Sequence, residues 1–183
     1  MKKTLFTLLL CILAFTFTVQ AQEIAVIPKP AEMSVGEGEF SMKGKVVVCY
    51  PEVKDKGIKK VVDNFVEEIE ATTGVKLKKS TPKKEKLENG VVTKYSRKAD
   101  AHIVMDVDES MGDECYKLSV TPKRIDITAA KPAGFFYAFQ TLKQLMPRNV
   151  MAGVPDAGVK EWKIPAVSIV DEPRFGWRGF MLD

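Results

Sequence analysis

The last stretch of the chain, Asp171 to Asp183, reads DEPRFGWRGFMLD and governs how the rest is read. It opens as a turn marked by Pro173 and closes as an apolar, strand-like run that carries Arg178 between Trp177 and Gly179. A guanidinium stays charged and offers five N–H donors, so Arg178 in such a run needs a partner. Two kinds of partner meet that need: a carboxylate of the same protein, or an oxygen-rich ligand such as a sugar with vicinal hydroxyls. Composition does not choose between them.

The longer segment IPAVSIVDEPRFGWRGFMLD, Ile164 to Asp183, resembles a junction in glycoside hydrolase family 20, the β-N-acetylhexosaminidases. At that junction a small domain hands over to the first strand of a (β/α)8 barrel. The family pattern is a Pro, an Arg-Phe pair, then Arg-Gly-x-x-Leu-Asp, matched here by Pro173, Arg174, Phe175, Arg178, Gly179, Leu182 and Asp183. Upstream, YKLSVTPKRIDITAAKPAGFFYAFQTLKQL, Tyr116 to Leu145, is similar to the strand, strand, helix run of the small domain, so the likeness covers most of residues 24–183. By motif position the resemblance implies that Arg178 binds ring hydroxyls of a terminal N-acetylhexosamine.

The resemblance also implies a chemistry, substrate-assisted hydrolysis, which departs from the usual two-carboxylate scheme. The sugar's own 2-acetamido oxygen attacks the anomeric carbon, an Asp orients that group, and the neighbouring Glu protonates the leaving oxygen. The family carries the pair in a His-x-Gly-Gly-Asp-Glu motif, which is absent here. Met111-Gly112-Asp113-Glu114 imitates its end without the His or the second Gly, and it stands where a turn enters a strand, a place that favours Gly and Asp for local reasons. No catalytic residue is therefore assigned, and no cofactor. The single His102, with no CxxC or HExxH, leaves no basis for a His-based metal site.

Lys2 and Lys3 precede an apolar run, Leu5 to Val19, and Val19-Gln20-Ala21 suits a signal peptidase, so residues 1–21 read as a cleavable export signal. The run is shorter than the ~20 residues of a bilayer crossing, which argues against a membrane span. Cys11 after Leu10 invites a lipoprotein reading but lacks the small residues expected before a lipidated Cys. Removing Lys2 and Lys3 takes the formal charge from +4 to +2. Interleaved charges of both signs, without a clustered basic face, exclude a nucleic-acid binder, and the basic block Lys76 to Lys86 reads as a solvated loop. Cys49 and Cys115 remain in the mature chain, either as one bridge or as two buried thiols.

In order, Ile24 to Val35 reads as an edge strand after a proline-stiffened lead, and Gly36-Glu37-Gly38 as a hairpin turn before Glu39 to Met42. Lys45 to Tyr50 reads as a buried strand. Ile58, Val61, Val62, Phe65, Val66 and Ile69 form one helical stripe, closed by Gly74. Val75 to Lys79 reads as a strand and Ser80 to Lys98 as a surface loop. Ala101 to Val107, Cys115 to Thr121 and Arg124 to Ala129 read as strands, the last two joined at Pro122-Lys123 as a hairpin. A second helix runs from Phe135 to Met146, stopped by Pro147, and residues 148–163 read as loop. Trp162 reads as a plug in that loop, and Trp177 points to the face opposite Arg178.

The expected architecture is α+β, a mostly antiparallel sheet with two helices on one face, followed by the truncated start of a (β/α)8 barrel. Residues 22–170 would be the small domain and 171–183 the beginning of the barrel. The expected role is that of a non-catalytic, exported part of a hexosaminidase, whether periplasmic, outer-surface or secreted. It would brace its own catalytic barrel and meet terminal N-acetylhexosamine glycans through the complete enzyme. Two other classes stay open: a secreted carbohydrate-binding module, and a protein-interaction module.

Overall fold

The computed structural model describes residues 24–51, 55–81, 101–179 and 181, with backbone alone for 83–86 and 92–96. The expected export signal, and Phe180, Leu182 and Asp183 of the terminal stretch, lie outside the described residues.

The strand that organises the sheet is Trp162–Asp171, designated β9, in a stretch read from sequence as the end of a loop and the lead-in to the terminal motif. Its residues Trp162, Ile164 and Ile169 are almost wholly buried. Along one side it pairs antiparallel with β1 (Glu32–Met42), from Glu32 opposite Val170 to Met42 opposite Trp162. The expected hairpin at Gly36 to Gly38 is therefore corrected to a bulge inside one long edge strand, where the register shifts between Val35 and Glu39. The reason is tertiary. A ten-residue β9 is long enough to pair with both halves of β1, and the bulge lets Gly36 sit on Ala166, whose Cβ a side chain would meet at 3.3 Å.

Along its other side β9 pairs antiparallel with β7 (Tyr116–Val120), which forms the expected hairpin with β8 (Ile125–Ala129). Thr121 closes that turn: its N–H donates to the Arg124 carbonyl at 2.9 Å, and its hydroxyl oxygen accepts from Arg124 N–H at 3.1 Å. Beyond β8 lie β6 (Ile103–Val107), β2 (Lys45–Cys49) and β3 (Lys76–Ser80), each parallel to its neighbour. The seven-stranded order β1-β9-β7-β8-β6-β2-β3 thus has three antiparallel and three parallel pairings. The fold is α+β, and the sheet is evenly mixed because helix α1 (Lys56–Thr73) carries the chain from β2 back to the start of a parallel β3.

Helix α1 begins where Asp55 accepts the N–H of Gly57 at 2.7 Å and ends at Gly74, whose φ of 70° only glycine adopts freely. Helix α2 (Pro132–Gln144) lies beside it, with Phe65 and Phe139 stacked at 4.0 Å. Both helices share one core with the sheet, in which Val62, Ile69, Phe135 and Leu142 meet Ile103, Leu118 and Ile127. Trp162 lies 1% exposed, its indole N–H donating at 3.1 Å to the Thr73 carbonyl at the end of α1. It is a core residue at the start of a strand rather than a plug in a loop. Val47, Cys49, Ala101 and Val104 form a small cluster of their own.

The loop expected from Ser80 to Lys98 contains a two-stranded hairpin, β4 (Lys83–Lys86) with β5 (Val92–Ser96). The loop expected from 148 to 163 contains a one-turn helix, α3 (Arg148–Met151). Cys49 in β2 and Cys115 at the entry to β7 are separated by β6 and β8, roughly 14 Å at the usual strand spacing, so both are free thiols and no bridge joins them.

Candidate functional site

Gly134 sets where α2 sits. A Cβ there would fall 2.4 Å from the Cys115 carbonyl oxygen and 2.9 Å from Ala129 Cβ, so glycine lets the first turn of α2 press directly on β7 and β8. Tyr137, Gln140, Thr141 and Gln144, at successive helical turns, then form one wall of a cavity of about 430 Å³. The opposite walls are the chain's lead-in at Val26 to Lys29, the entry to β7 at Glu114 and Tyr116, and the segment from Asp171 to Arg178. Gln144 holds the lead-in as a second backbone would: its carbonyl accepts Ile27 N–H at 2.8 Å, and its amide donates to the Ile27 carbonyl at 2.9 Å.

Asp171 is the polar hub of this cavity. One carboxylate oxygen accepts the N–H groups of Ala31 and Glu172, each at 3.0 Å, and the other accepts the Tyr116 hydroxyl at 3.2 Å. The Tyr116 oxygen also lies 2.7 Å from Thr141 Oγ1. Burial pushes the Tyr116 hydroxyl up to about 12; the hydrogen bond with Thr141 opposes the shift and the negative Asp171 adds to it. Asp171 thereby ties the lead-in, β7 and the departing segment together, with Thr141 of α2 linked through Tyr116.

The terminal run does not form a strand over residues 172–179, contrary to the expectation from its composition. Pairing of β9 ends at Val170 opposite Glu32 and Asp171 opposite Tyr116, and Pro173 brings no donor with which to extend a ladder. Phe175 and Trp177 are 70% and 83% exposed. Of the two partners left open for Arg178, this chain supplies a carboxylate: its guanidinium pairs with Glu114. The pair is partly exposed, Arg178 by 48% and Glu114 by 33% of the side chain.

Glu114 comes from the imitation Gly-Asp-Glu motif, and the motif's surroundings are those of a tight turn. Met111 N–H donates to the Asp108 carbonyl at 3.1 Å and Cys115 N–H to the Gly112 carbonyl at 3.0 Å. Asp108 Oδ1 accepts both N–H and hydroxyl of Ser110, bonds that hold its carboxyl below the ordinary range. Sequence reasoning missed Tyr116, Thr141 and Asp171. The available signal was that Tyr116 heads an apolar alternation, where its hydroxyl required a buried partner. Among the described residues no group of three His, Cys, Asp or Glu is placed to hold a metal, and no helix is long and apolar enough to cross a membrane.

Sheet, helices and junction together define a small α+β domain. Residues 23–172 match glycosyl hydrolase family 20, domain 2, and the chain belongs to that family. The beta-hexosaminidase of Porphyromonas gingivalis is 27% identical over 160 residues, covering 87% of this chain and 18% of that protein. The beta-N-acetylhexosaminidase of Streptomyces coelicolor A3(2) aligns in structure with a TM-score of 0.64 at 27% identity, over 84% of this chain and 27% of that one. The chitobiase of Flavobacterium johnsoniae aligns with a TM-score of 0.58 at 26% identity, over 90% of this chain and 23% of that one. The chain thus spans well under a third of the length of these relatives.

Proposed function

We propose that this chain is the non-catalytic domain 2 of an exported β-N-acetylhexosaminidase that removes terminal N-acetylhexosamine residues from glycans by substrate-assisted hydrolysis. The observation that carries the reading is the match to domain 2 over residues 23–172, followed at once by the Pro173, Arg174-Phe175 and Arg178-Gly179 pattern of the junction. In this reading the domain braces the barrel, and residues 1–21 direct export to the periplasm, outer surface or medium. Catalysis belongs to a barrel carrying the Asp-Glu pair. The chain by itself should give no hydrolysis of a chromogenic N-acetylglucosaminide. Turnover above background that disappears in Glu114→Gln would overturn this and make the Gly-Asp-Glu turn catalytic.

Within the same reading Arg178 also donates to ring hydroxyls of the terminal sugar. Its guanidinium keeps donors beyond the one directed at Glu114 and stands on the cavity wall. In the complete enzyme Arg178→Lys should lower kcat/KM by roughly one to two powers of ten, since a stranded hydroxyl costs about 1–3 kcal/mol. Near wild-type kcat/KM with lowered thermal stability would leave Arg178 as a charge partner alone.

One observation favours a second reading, a saccharide-binding module: the rings of Tyr137 and Phe175 line the same cavity as Arg174 and Arg178. Saturable binding of N-acetylglucosamine by the isolated chain would support it, and its absence would remove it.

A further inference from the structure

On the side away from β1 the sheet ends in a strip of positive charge. Part of the basic block read as a solvated loop is the edge strand β3, and its lysines divide between the two faces of the sheet. Leu77 belongs to the core under the helices, and Lys79, on the same face, pairs with Asp63 of α1. Lys76 and Lys78 therefore stand on the face that carries no helix. On the neighbouring strand Lys45 is in register with Lys76, and Val47, in register with Lys78, belongs to the small cluster on that open face.

All three lysines, Lys45, Lys76 and Lys78, are exposed, and among the described residues none has a carboxylate partner. Their Cα atoms stand roughly 5 Å apart across the strands and roughly 7 Å apart along β3. Like charges set side by side in this way oppose folding unless anions lie against them. The charge runs on in the sequence: residues 76–98 hold nine basic and two acidic side chains, a net +7, while the rest of the chain beyond residue 21 is net −5. Lysine on an edge strand also keeps other strands from adding to it. That accounts for Lys76 and Lys78 but not for Lys45, which lies one strand in from the edge.

We infer that the open face of β2 and β3 is a docking surface for an anionic polysaccharide, held by Lys45, Lys76 and Lys78. A repeating polyanion meets ammonium groups set at strand spacings on a sheet face, whereas a single anion needs donors that converge on one point. An anionic membrane is the other surface that such charge attracts, but a site at a lipid interface buries apolar side chains beside its lysines. None of the large apolar residues described as exposed lies in β2 or β3, which also leaves no aromatic there to stack on nucleic-acid bases. This goes beyond the proposed function and does not rest on it, since the lysines attract a polyanion whether or not the domain serves a hexosaminidase.

The test measures binding of the chain to dextran sulfate and to polygalacturonate, with neutral dextran as the reference, between about 50 and about 200 mM salt. Counterion release by three ammonium groups predicts a loss of affinity of roughly 10- to 50-fold across that range. Changing Lys45, Lys76 and Lys78 together to Gln should remove most of the binding and flatten its salt dependence. Lys45→Gln alone, which leaves the lysines of the edge strand in place, should weaken binding roughly two- to five-fold. Changing the exposed Lys123, Lys131 and Lys160 to Gln removes the same charge elsewhere and should leave affinity within roughly two-fold.

Equal losses in the two triple variants would overturn the inference, because net charge rather than this face would then hold the polymer. So would unchanged affinity in Lys45→Gln, which would reduce the edge lysines to guards against strand addition. Absent or salt-independent binding by the unmodified chain would overturn it too. If the triple variant self-associates, the single variant and the salt series decide. Tighter binding to phosphatidylglycerol vesicles than to either polysaccharide, lost in the same variants, would make the partner a membrane and overturn the assignment.

Discussion

Tyr116 and Asp171 face each other in the register of β7 and β9 and also meet through their side chains, hydroxyl to carboxylate at 3.2 Å. Because Tyr116 is 2% exposed and its hydroxyl is pushed up to about 12, the fold favours the neutral phenol. An unfolded Tyr ionises near ~10. The contribution is therefore full below about pH 10 and lost as pH rises through about 12. In urea unfolding, Tyr116→Phe should cost about 1 kcal/mol near neutrality, for the lost hydrogen bonding, and should lose less stability than the wild type above about pH 10. Parallel alkaline curves for the two proteins would contradict the assignment.

Gly134→Ala should be among the most damaging single-methyl changes in the chain. The new Cβ would meet the Cys115 carbonyl oxygen at 2.4 Å, at the entry to β7, and Ala129 Cβ at 2.9 Å, in β8, and neither place can yield without disturbing the β7–β8 pairing. A loss of about 2 kcal/mol or more is expected, against the ~1 kcal/mol that alanine ordinarily contributes over glycine in favour of a helix. Chemical denaturation measures it; a neutral or stabilising result would mean that α2 slides along the sheet at little cost.

His102 completes the ladder between β2 and β6 with its ring. Val47 N–H donates to His102 Nδ1 at 3.1 Å, while His102 N–H donates to the Val47 carbonyl at 2.9 Å. His102→Ala leaves the Val47 donor without this acceptor and should cost about 1–3 kcal/mol, whereas His102→Asn, with a carbonyl of similar reach, should recover part of it. Faster amide exchange at Val47 in the Ala variant locates the effect; equal stability of Ala and Asn variants would show that the ring acts only by packing.

Much of the fold was legible because its signals are local. The stripe from Ile58 to Ile69 sets α1 by periodicity, Gly74 ends it by its left-handed backbone, and the alternations around Pro122-Lys123 set the β7–β8 hairpin. The family was legible too, in a junction motif whose residues are contiguous. The site was less so. Glu114 reads locally as a turn residue and Arg178 as a cation in an apolar run; nothing near either one announces a partner 64 positions away.

The sequence by itself determined the two long helices, that the second half of the domain forms a hairpin followed by a helix, and which family the chain resembles, since dihedral preference, periodicity and contiguous motifs act over a few residues. Tertiary structure alone decided that Gly36 to Gly38 is a bulge rather than a turn, because a ten-residue β9 was available to pair with both sides of it. It also decided that β2, β6 and β8 run parallel, that Trp162 caps the carbonyl end of α1, and that Glu114 rather than solvent receives Arg178. Each of these is a choice between competing distant partners, settled by which arrangement buries the most apolar surface while leaving the fewest donors and acceptors unpaired.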